Sequence, residues 1–262
     1  MKKLVLVILA MMFILTGCTS ETSSVDKDQL QTILDSGVMI VGTEGTYSPN
    51  SYHDEDGELV GFDVEVAKKI GEHLGVEVEF FEAEWDSLFA AMDSGRVDTV
   101  INEVEYSEDR ALKYDFSKPY TYVRGALLVA EDDTEITSFD DLAGKRCAQN
   151  LTSSWGTEAQ SLGCELVSVD SVYQTMELIA SDRADATLNA ETAFGDYISK
   201  HPDEPVKIVA YSDDTASSLV PVRKGEDALR EAIDEALDAM RESGELEEIS
   251  EKYFGIDVTK ER

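Results

Sequence analysis

Short apolar runs of strand length alternate with amphipathic helical segments, and the alternation occurs twice along the chain with a break near its middle. Strand–helix–strand units of this kind build mostly parallel sheets covered by helices, so the fold class read from the pattern is α/β. In the first half, a short helix at 29–34 stops at Gly37, a usual helix-ending residue. Residues 38–42 are a continuous apolar run, and 76–80 alternate strictly as Val-Glu-Val-Glu-Phe, the period of a strand. Helical spacing runs through 62–70, with Gly71 and Gly75 beyond it, and again from Trp85 to Gly95; 97–101 is a further strand. In the second half, strands are expected at 125–130, 146–149, 165–169 and 184–188, and helices at 139–142, from about 154, at 172–179 and at 191–199. A late strand at 218–222 carries Pro221, which suits an edge position. The helix at 226–241 sets Ala228, Leu229, Ile233, Leu237 and Met240 on one face; Gly244 ends it, and a last short helix runs to 255. Two α/β halves without a long linker make two lobes and a cleft. Ligands of open α/β sheets sit beyond the carboxyl ends of the strands, here the loops after Val41, Phe80, Ile101, Ala148 and Leu188.

The opening of the chain reads as an address. Lys2 and Lys3 precede an apolar run at 4–15, too short for a permanent span and fitting a secretory signal over residues 1–17. The run ends in Leu15-Thr16-Gly17-Cys18, which resembles a bacterial lipobox, in which the cysteine is lipidated. Residues 18–27 are polar and Ser/Thr-rich, a flexible tether. The globular part is therefore expected outside the cytoplasm, anchored to the outer face of the cell membrane through lipid. The net charge of -33, from 55 acidic against 22 basic residues, opposes binding to nucleic acid or anionic lipid. Cys18, Cys147 and Cys164 follow no zinc spacing, and His53, His73 and His201 are scattered, so neither a metal nor a cofactor is expected. Cys147 and Cys164 each begin a predicted strand of the second half; in an oxidising compartment they either bridge or remain two buried thiols.

At the loops that border the cleft, the sequence resembles the family-3 extracellular solute-binding proteins of amino-acid ABC transporters. The matching stretches are 41–47 (Val-Gly-Thr-Glu-Gly-Thr-Tyr), 61–67 (Gly-Phe-Asp-Val-Glu-Val-Ala), Asp109-Arg110, 114–120, 141–145, 183–187 and 252–255, spread over nearly all of the chain after the tether. Residues 100–102 and the tail 255–260 look most like the cystine-binding branch. The resemblance implies a type II periplasmic-binding fold with two hinge strands, matched by 125–130 and 217–223. Lobe 1 would comprise 28–125 and 222–262, and lobe 2 126–221. It also implies a monomer that delivers a small amino acid to a membrane permease.

The resemblance further implies where the ligand sits. Arg110 matches the arginine that grips the α-carboxylate, a role suited to its fork of donors; otherwise it would be a surface partner of Glu108 or Asp115. Tyr47 and Trp85 match flanking aromatics, although Trp85 would also serve as a core residue. Thr152 and Ser153 match a turn at a helix N-terminus, able to receive a carboxylate or simply to cap the helix. Asn102 lies in the same segment as the departures that follow. Ala190 stands where the family has the Asp that binds the ligand ammonium, and Glu105 and Glu103 stand where it has Thr or Ser and a small residue or Gln. The ammonium partner is accordingly expected to have moved to Glu105, with Glu191 as a substitute, or else Glu103 and Glu105 are exposed. Asn50 replaces the usual Phe and is expected to make the pocket more polar. Two additional carboxylates suit cystine or a basic amino acid. No nucleophile–histidine pair or phosphate loop is present, so no catalytic residue is assigned and binding is expected in place of catalysis. The alternatives on the same fold are a dehydratase-like enzyme or a ligand-sensing receptor.

Overall fold

The computed structural model describes residues 28–261; the expected signal segment, Cys18 and the tether lie outside the described residues. Helix α1 (Gln29–Ser36) is capped by the Asp28 carboxylate, which accepts from the Gln31 N–H, and is stopped by Gly37 at φ 74°. It leads into β1 (Val38–Thr43). A polar antiparallel meander follows, β2 (Thr46–Tyr47), β3 (Ser51–His53) and β4 (Leu59–Val60). Helix α2 (Phe62–Leu74), β5 (Glu77–Glu82), α3 (Trp85–Asp93) and β6 (Thr99–Val100) complete a parallel sheet of order β5-β1-β6. The short α4 (Glu108–Ala111) and β7 (Tyr114–Phe116) come next.

Strand β8 (Thr121–Ala130) crosses to the second lobe. There, after a 3-10 turn at Phe139–Leu142, stand β9 (Arg146–Gln149), α5 (Ser154–Ser161), β10 (Glu165–Ser168), α6 (Val172–Ala180), β11 (Ala186–Ala190) and α7 (Glu191–Lys200). Strand β12 (Val206–Ser218) returns, and β13 (Pro221–Arg223), α8 (Asp227–Ser243) and α9 (Glu245–Phe254) rejoin the first lobe. The second sheet has the order β10-β9-β11-β8-β12. Cys147 in β9 and Cys164, just before β10, form a disulfide, with Cα atoms 5.7 Å apart.

The return crossing differs from the expectation of 217–223. The strand that pairs with β8 is β12, antiparallel to it, with register shifts between Ile208 and Ala210 and between Tyr211 and Thr215. The shifts push Ser212, Asp213 and Asp214 out of the ladder, which broke the apolar alternation in the sequence. The crossing itself pairs 121–124 with 215–218. Pro221–Arg223 is instead an edge strand on β7, where a missing N–H does no harm. Strand 97–101 shortens to Thr99–Val100, and 184–188 shifts to Ala186–Ala190.

Each lobe has its own core. Phe62, Val66 and Ile70 of α2 meet Leu229, Ile233, Leu237 and Met240 of α8 over β1. Trp85, Leu88 and Met92 of α3 cover the other face with Val100 and Tyr114. The second sheet is covered by Met176, Ile179 and Phe194 on one side and by Ile136, Leu142 and Ala159 on the other.

Helix α2 runs past Gly71 and stops at Gly75, φ 75°, not before them. Gly71 is where α2 meets β5: a Cβ there would lie 2.4 Å from Val78 Cγ2 and 3.1 Å from the Val76 carbonyl. Helix propensity alone favours Gly71→Ala by about 1 kcal/mol. The stiff β-branched Val78 cannot swing aside, so we predict a net loss of about 1–2 kcal/mol from overpacking. Chemical denaturation measures it; a stabilised variant would refute this account of the contact.

Candidate ligand-binding cleft

Strand ends of both lobes converge on a cavity of about 80 Å³. From the first lobe come Glu44 after β1, Tyr47 of β2, Trp85 at the start of α3, and Asn102 and Glu103 after β6. From the second come Gln149 and Asn150 after β9, Ser153, Ser154 and Trp155 at the start of α5, Asp170 after β10, and Asn189 of β11. This is the carboxyl-end placement that parallel sheets dictate.

The lobes touch across the cleft. Tyr47 Oη donates to Asn189 Oδ1 at 2.7 Å. Arg110 Nη2 donates to the Thr152 carbonyl at 3.2 Å, Thr152 Oγ1 bonds to Asp86, and Ser154 bonds to the Glu105 carboxylate. On the hinge side, Lys200 Nζ donates to Ser48 Oγ at 2.8 Å and lies over the Tyr52 ring. Tyr47, Val123, Ala190, Ala193 and Val258 form a small apolar cluster between the lobes.

Carboxylates dominate the electrostatics. Asn102 clamps Glu44: its Nδ2 donates to Glu44 Oε2 at 2.7 Å, while its Oδ1 accepts from the Glu44 N–H and from Thr43 Oγ1. Burial still pushes the Glu44 carboxyl up to about 7, with Glu84 adding repulsion and Asn102 opposing. Glu103 has a left-handed backbone, φ 50°. Its Oε1 accepts from Thr121 Oγ1 at 3.2 Å and its Oε2 from Ser218 Oγ at 3.1 Å. Its N–H donates to Asp63 Oδ2 at 2.8 Å, and Tyr120 Oη donates to Asp63 Oδ1 at 2.9 Å. Burial, then the neighbouring Asp63, raises the Glu103 carboxyl well above the usual range. Asp63, fully buried, is raised to about 7 by burial against the pull of Tyr120 and the Glu103 N–H. Among the described residues no Lys, Arg or His lines the cavity.

The expected site residues fall in different places. Tyr47, Trp85, Asn102, Glu103 and Ser153 line the cavity. Arg110 and Thr152 instead line an adjoining outer groove with Asp86 and Phe89, and Trp85 borders both spaces. The Arg110 guanidinium packs on Trp85 and Phe89 and donates to the carbonyls of Glu105 at 2.8 Å and Thr152. Glu105 does not line the cavity; burial raises its carboxyl to about 7 while Ser154 and Arg110 hold it down. Glu191 is drawn away by Arg124, whose Nη2 donates to it at 2.6 Å, and it lines a separate groove on the hinge side. Ser153 caps α5, accepting from the Gly156 N–H at 3.0 Å, so its hydroxyl is committed. Asn50 is buried away from the cavity, under Gly61. The sequence reading missed Glu44, which sits inside a quoted motif but carries no pattern that marks it. It also missed Asn189 and Trp155, which enter because Asn189 lies near the end of β11 and Trp155 packs against Gly125, where a Cβ would come within 2.9 Å of the indole.

The family model for bacterial extracellular solute-binding proteins, family 3, matches residues 39–256. An L-cystine-binding protein, TcyA, of Bacillus subtilis is 38% identical over 242 residues, covering 92% of this chain and 90% of its own. An ancestral arginine-binding protein bound to arginine superposes with a TM-score of 0.79 at 34% identity, covering 84% of this chain and 99% of its own. The L-cystine solute receptor of Neisseria gonorrhoeae, in an unliganded open conformation, is 41% identical yet superposes at 0.61, covering 88% and 99%. The better fit to the arginine-bound protein, despite the lower identity, agrees with the hydrogen bonds that join the lobes here. Two α/β lobes, a pair of crossing strands and a match over most of the chain place this protein in the bacterial extracellular solute-binding proteins, family 3.

Proposed function

We propose that this chain is the extracytoplasmic substrate-binding protein of an amino-acid ABC transporter, lipid-anchored through Cys18. It captures an amino acid with an additional positive group, cystine or a basic amino acid, and hands it unaltered to a permease. The observation that carries the reading is the charge of the cleft. Glu44, Glu103 and Asp170 line the cavity with no cationic side chain beside them among the described residues. Asp170 is exposed, whereas Glu44 and Glu103 are partly withdrawn from water, and either of them, once ionised, favours a cation beside it because an unpaired buried charge costs several kcal/mol. Trp85, Trp155 and Tyr47 supply flat walls for the rest of the ligand.

Arg110 supplies the other half of a zwitterion's needs. Its fork points at two backbone carbonyls; a ligand carboxylate is a stronger acceptor than either and displaces one of them. The cavity of about 80 Å³ is smaller than a typical small-molecule site. The ligand therefore enters when the lobes part about the 121–124 and 215–218 crossing, and closure brings both sets of side chains onto it. The cystine- and arginine-binding relatives support this class of ligand.

Thermal-shift measurements of the protein with each amino acid and L-cystine test the reading. At a hundredfold excess over Kd the expected stabilisation is about 2.7 kcal/mol. L-Cystine, L-arginine or L-lysine is expected to give the largest shift and L-glutamate none; a shift with L-glutamate as large as theirs defeats the proposal. Glu44→Gln keeps the Asn102 contact but removes the charge. It should weaken the best ligand by about 2 kcal/mol, roughly thirtyfold in Kd, as read by calorimetry, with little effect on neutral amino acids.

A further inference from the structure

Asp63 and Glu103 form a buried carboxyl pair with no matching cation. Asp63 is 0% exposed, and the Glu103 N–H donates straight to its carboxylate at 2.8 Å. Among the described residues neither carboxyl forms an ion pair with Lys, Arg or His. The groups that face the pair add no positive charge. From β8 and the residue before it come Thr121 and Tyr120; from β12, Ser218; from β2, Tyr47. Glu105, from the same segment as Glu103, adds repulsion, and Glu44 shares the cavity. Arg110 turns its guanidinium to the carbonyls of Glu105 and Thr152. Two ionised carboxylates cannot persist side by side in such a place. They are neutralised either by a proton or by a cation from outside, and Glu103 is the member that lines the cavity.

We infer that the Asp63–Glu103 pair holds a proton while the cleft is empty and exchanges it for the ligand's positive group. In the exchange a carboxyl O–H bond breaks, the proton leaves to solvent, and an ammonium or guanidinium N–H donates to the freed carboxylate. Glu103 is then the residue that selects for positive charge, and Asp63 is a positioning residue behind it, which fixes the Glu103 backbone and raises its proton affinity. The inference rests on the proposed cationic ligand but adds a coupling that reading does not require. The upward displacement of both carboxyls by burial supports it. The consequence is directional. Binding is strongest above the pair's titration and weakens on acidification, by about tenfold per pH unit for one proton released. Because Thr121 and Ser218 of the two crossing strands both donate to Glu103, its charge state is also felt at the hinge.

Two measurements test this. Carbon-13 titration of the side-chain carboxyls in ligand-free protein, assigned with Glu103→Gln, is expected to show Glu103 titrating well above ordinary glutamates. A midpoint in the usual range overturns the inference whatever the ligand proves to be. Calorimetry with L-arginine, L-lysine and L-cystine in buffers of different ionisation enthalpy is expected to show about one proton released at neutral pH. Because Glu44, raised to about 7, shares the cavity wall, Glu103→Gln should remove the pair's share of both the release and the pH slope, and Glu44→Gln only the remainder. Asp63→Asn should shift the pH profile of Kd to lower pH; a uniform loss of affinity at every pH would mark Asp63 as merely structural. Binding by the wild type with no proton released overturns the exchange. If none of the three compounds binds, the cationic-ligand reading falls and the exchange with it, and the carbon-13 titration then reports on the pair itself.

Discussion

The antiparallel pairing of β8 with β12 is the constraint on which the other features depend. Within lobe 2 these strands belong to a five-stranded sheet; beyond Gly125 the ladder narrows to 121–124 against 215–218, joined in lobe 1 by the Glu105–Ser218 bridge and the Tyr122 N–H bond to the Val258 carbonyl. A narrow ribbon bends more readily than a wide sheet, since it has fewer neighbours to hold its twist. The separate cores of the lobes stay intact when it bends, because neither Phe62–Leu237 packing nor Met176–Phe194 packing crosses the gap. What does cross it is a small apolar cluster around Tyr47 and Ala190 and a few hydrogen bonds, among them Tyr47 to Asn189, Arg110 to Thr152 and Ser154 to Glu105. Hydrogen bonds of this kind contribute about 1 kcal/mol each in water, so the closed state is held lightly and a ligand that contacts both lobes can decide the balance.

Glu103 joins that hinge to the cleft. Its carboxylate accepts from a hydroxyl on each crossing strand, and its strained backbone is fixed by Asp63 at the start of α2. A non-glycine residue at positive φ costs about 1–3 kcal/mol and persists only where surroundings hold it. Here the holding group is a second carboxylate, which makes the arrangement costly in isolation and sensible only if something positive arrives.

The elements that were legible in the sequence are those with a continuous apolar run or one regular buried face. Residues 38–43 and 77–82 are recognisable because parallel strands under helices must be apolar or strictly alternating. The helices announced themselves through their stripes and glycine stops. The β2–β4 meander and the outer half of β12 did not, because they are short, polar and partly exposed, and nothing in a local pattern distinguishes them from loops. The family resemblance pointed to segments that border the cavity, since Tyr47, Trp85, Asn102, Glu103 and Ser153 all line it. It could not say which carboxylate of a segment faces inward. Glu103 and Glu105 are two apart, and only the turn of the backbone at Glu103 directs one to the cavity and leaves the other beside Ser154 and Arg110.

The distribution of charge follows from that turn. Ala190 is buried in an apolar contact with Tyr47, Val123 and Ala193, so a carboxylate at this position would be desolvated without a partner. Glu191, one residue on, is held outside by Arg124, which also stacks on Tyr211. Lobe 2 is thus left with Asp170 as the carboxylate on the cavity wall, while lobe 1 contributes Glu44 and Glu103. On the proposed function, electrostatic capture of a cationic ligand would therefore begin on lobe 1, and the lobe 2 residues Asn189, Trp155 and Ser154 would act by shape and hydrogen bonding once the cleft shuts. In an open form the acidic wall of lobe 1 would be hydrated and its attraction screened by solvent. Closure removes that water and strengthens every contact made with it, so the charge that draws the ligand in becomes most effective after the second lobe has arrived.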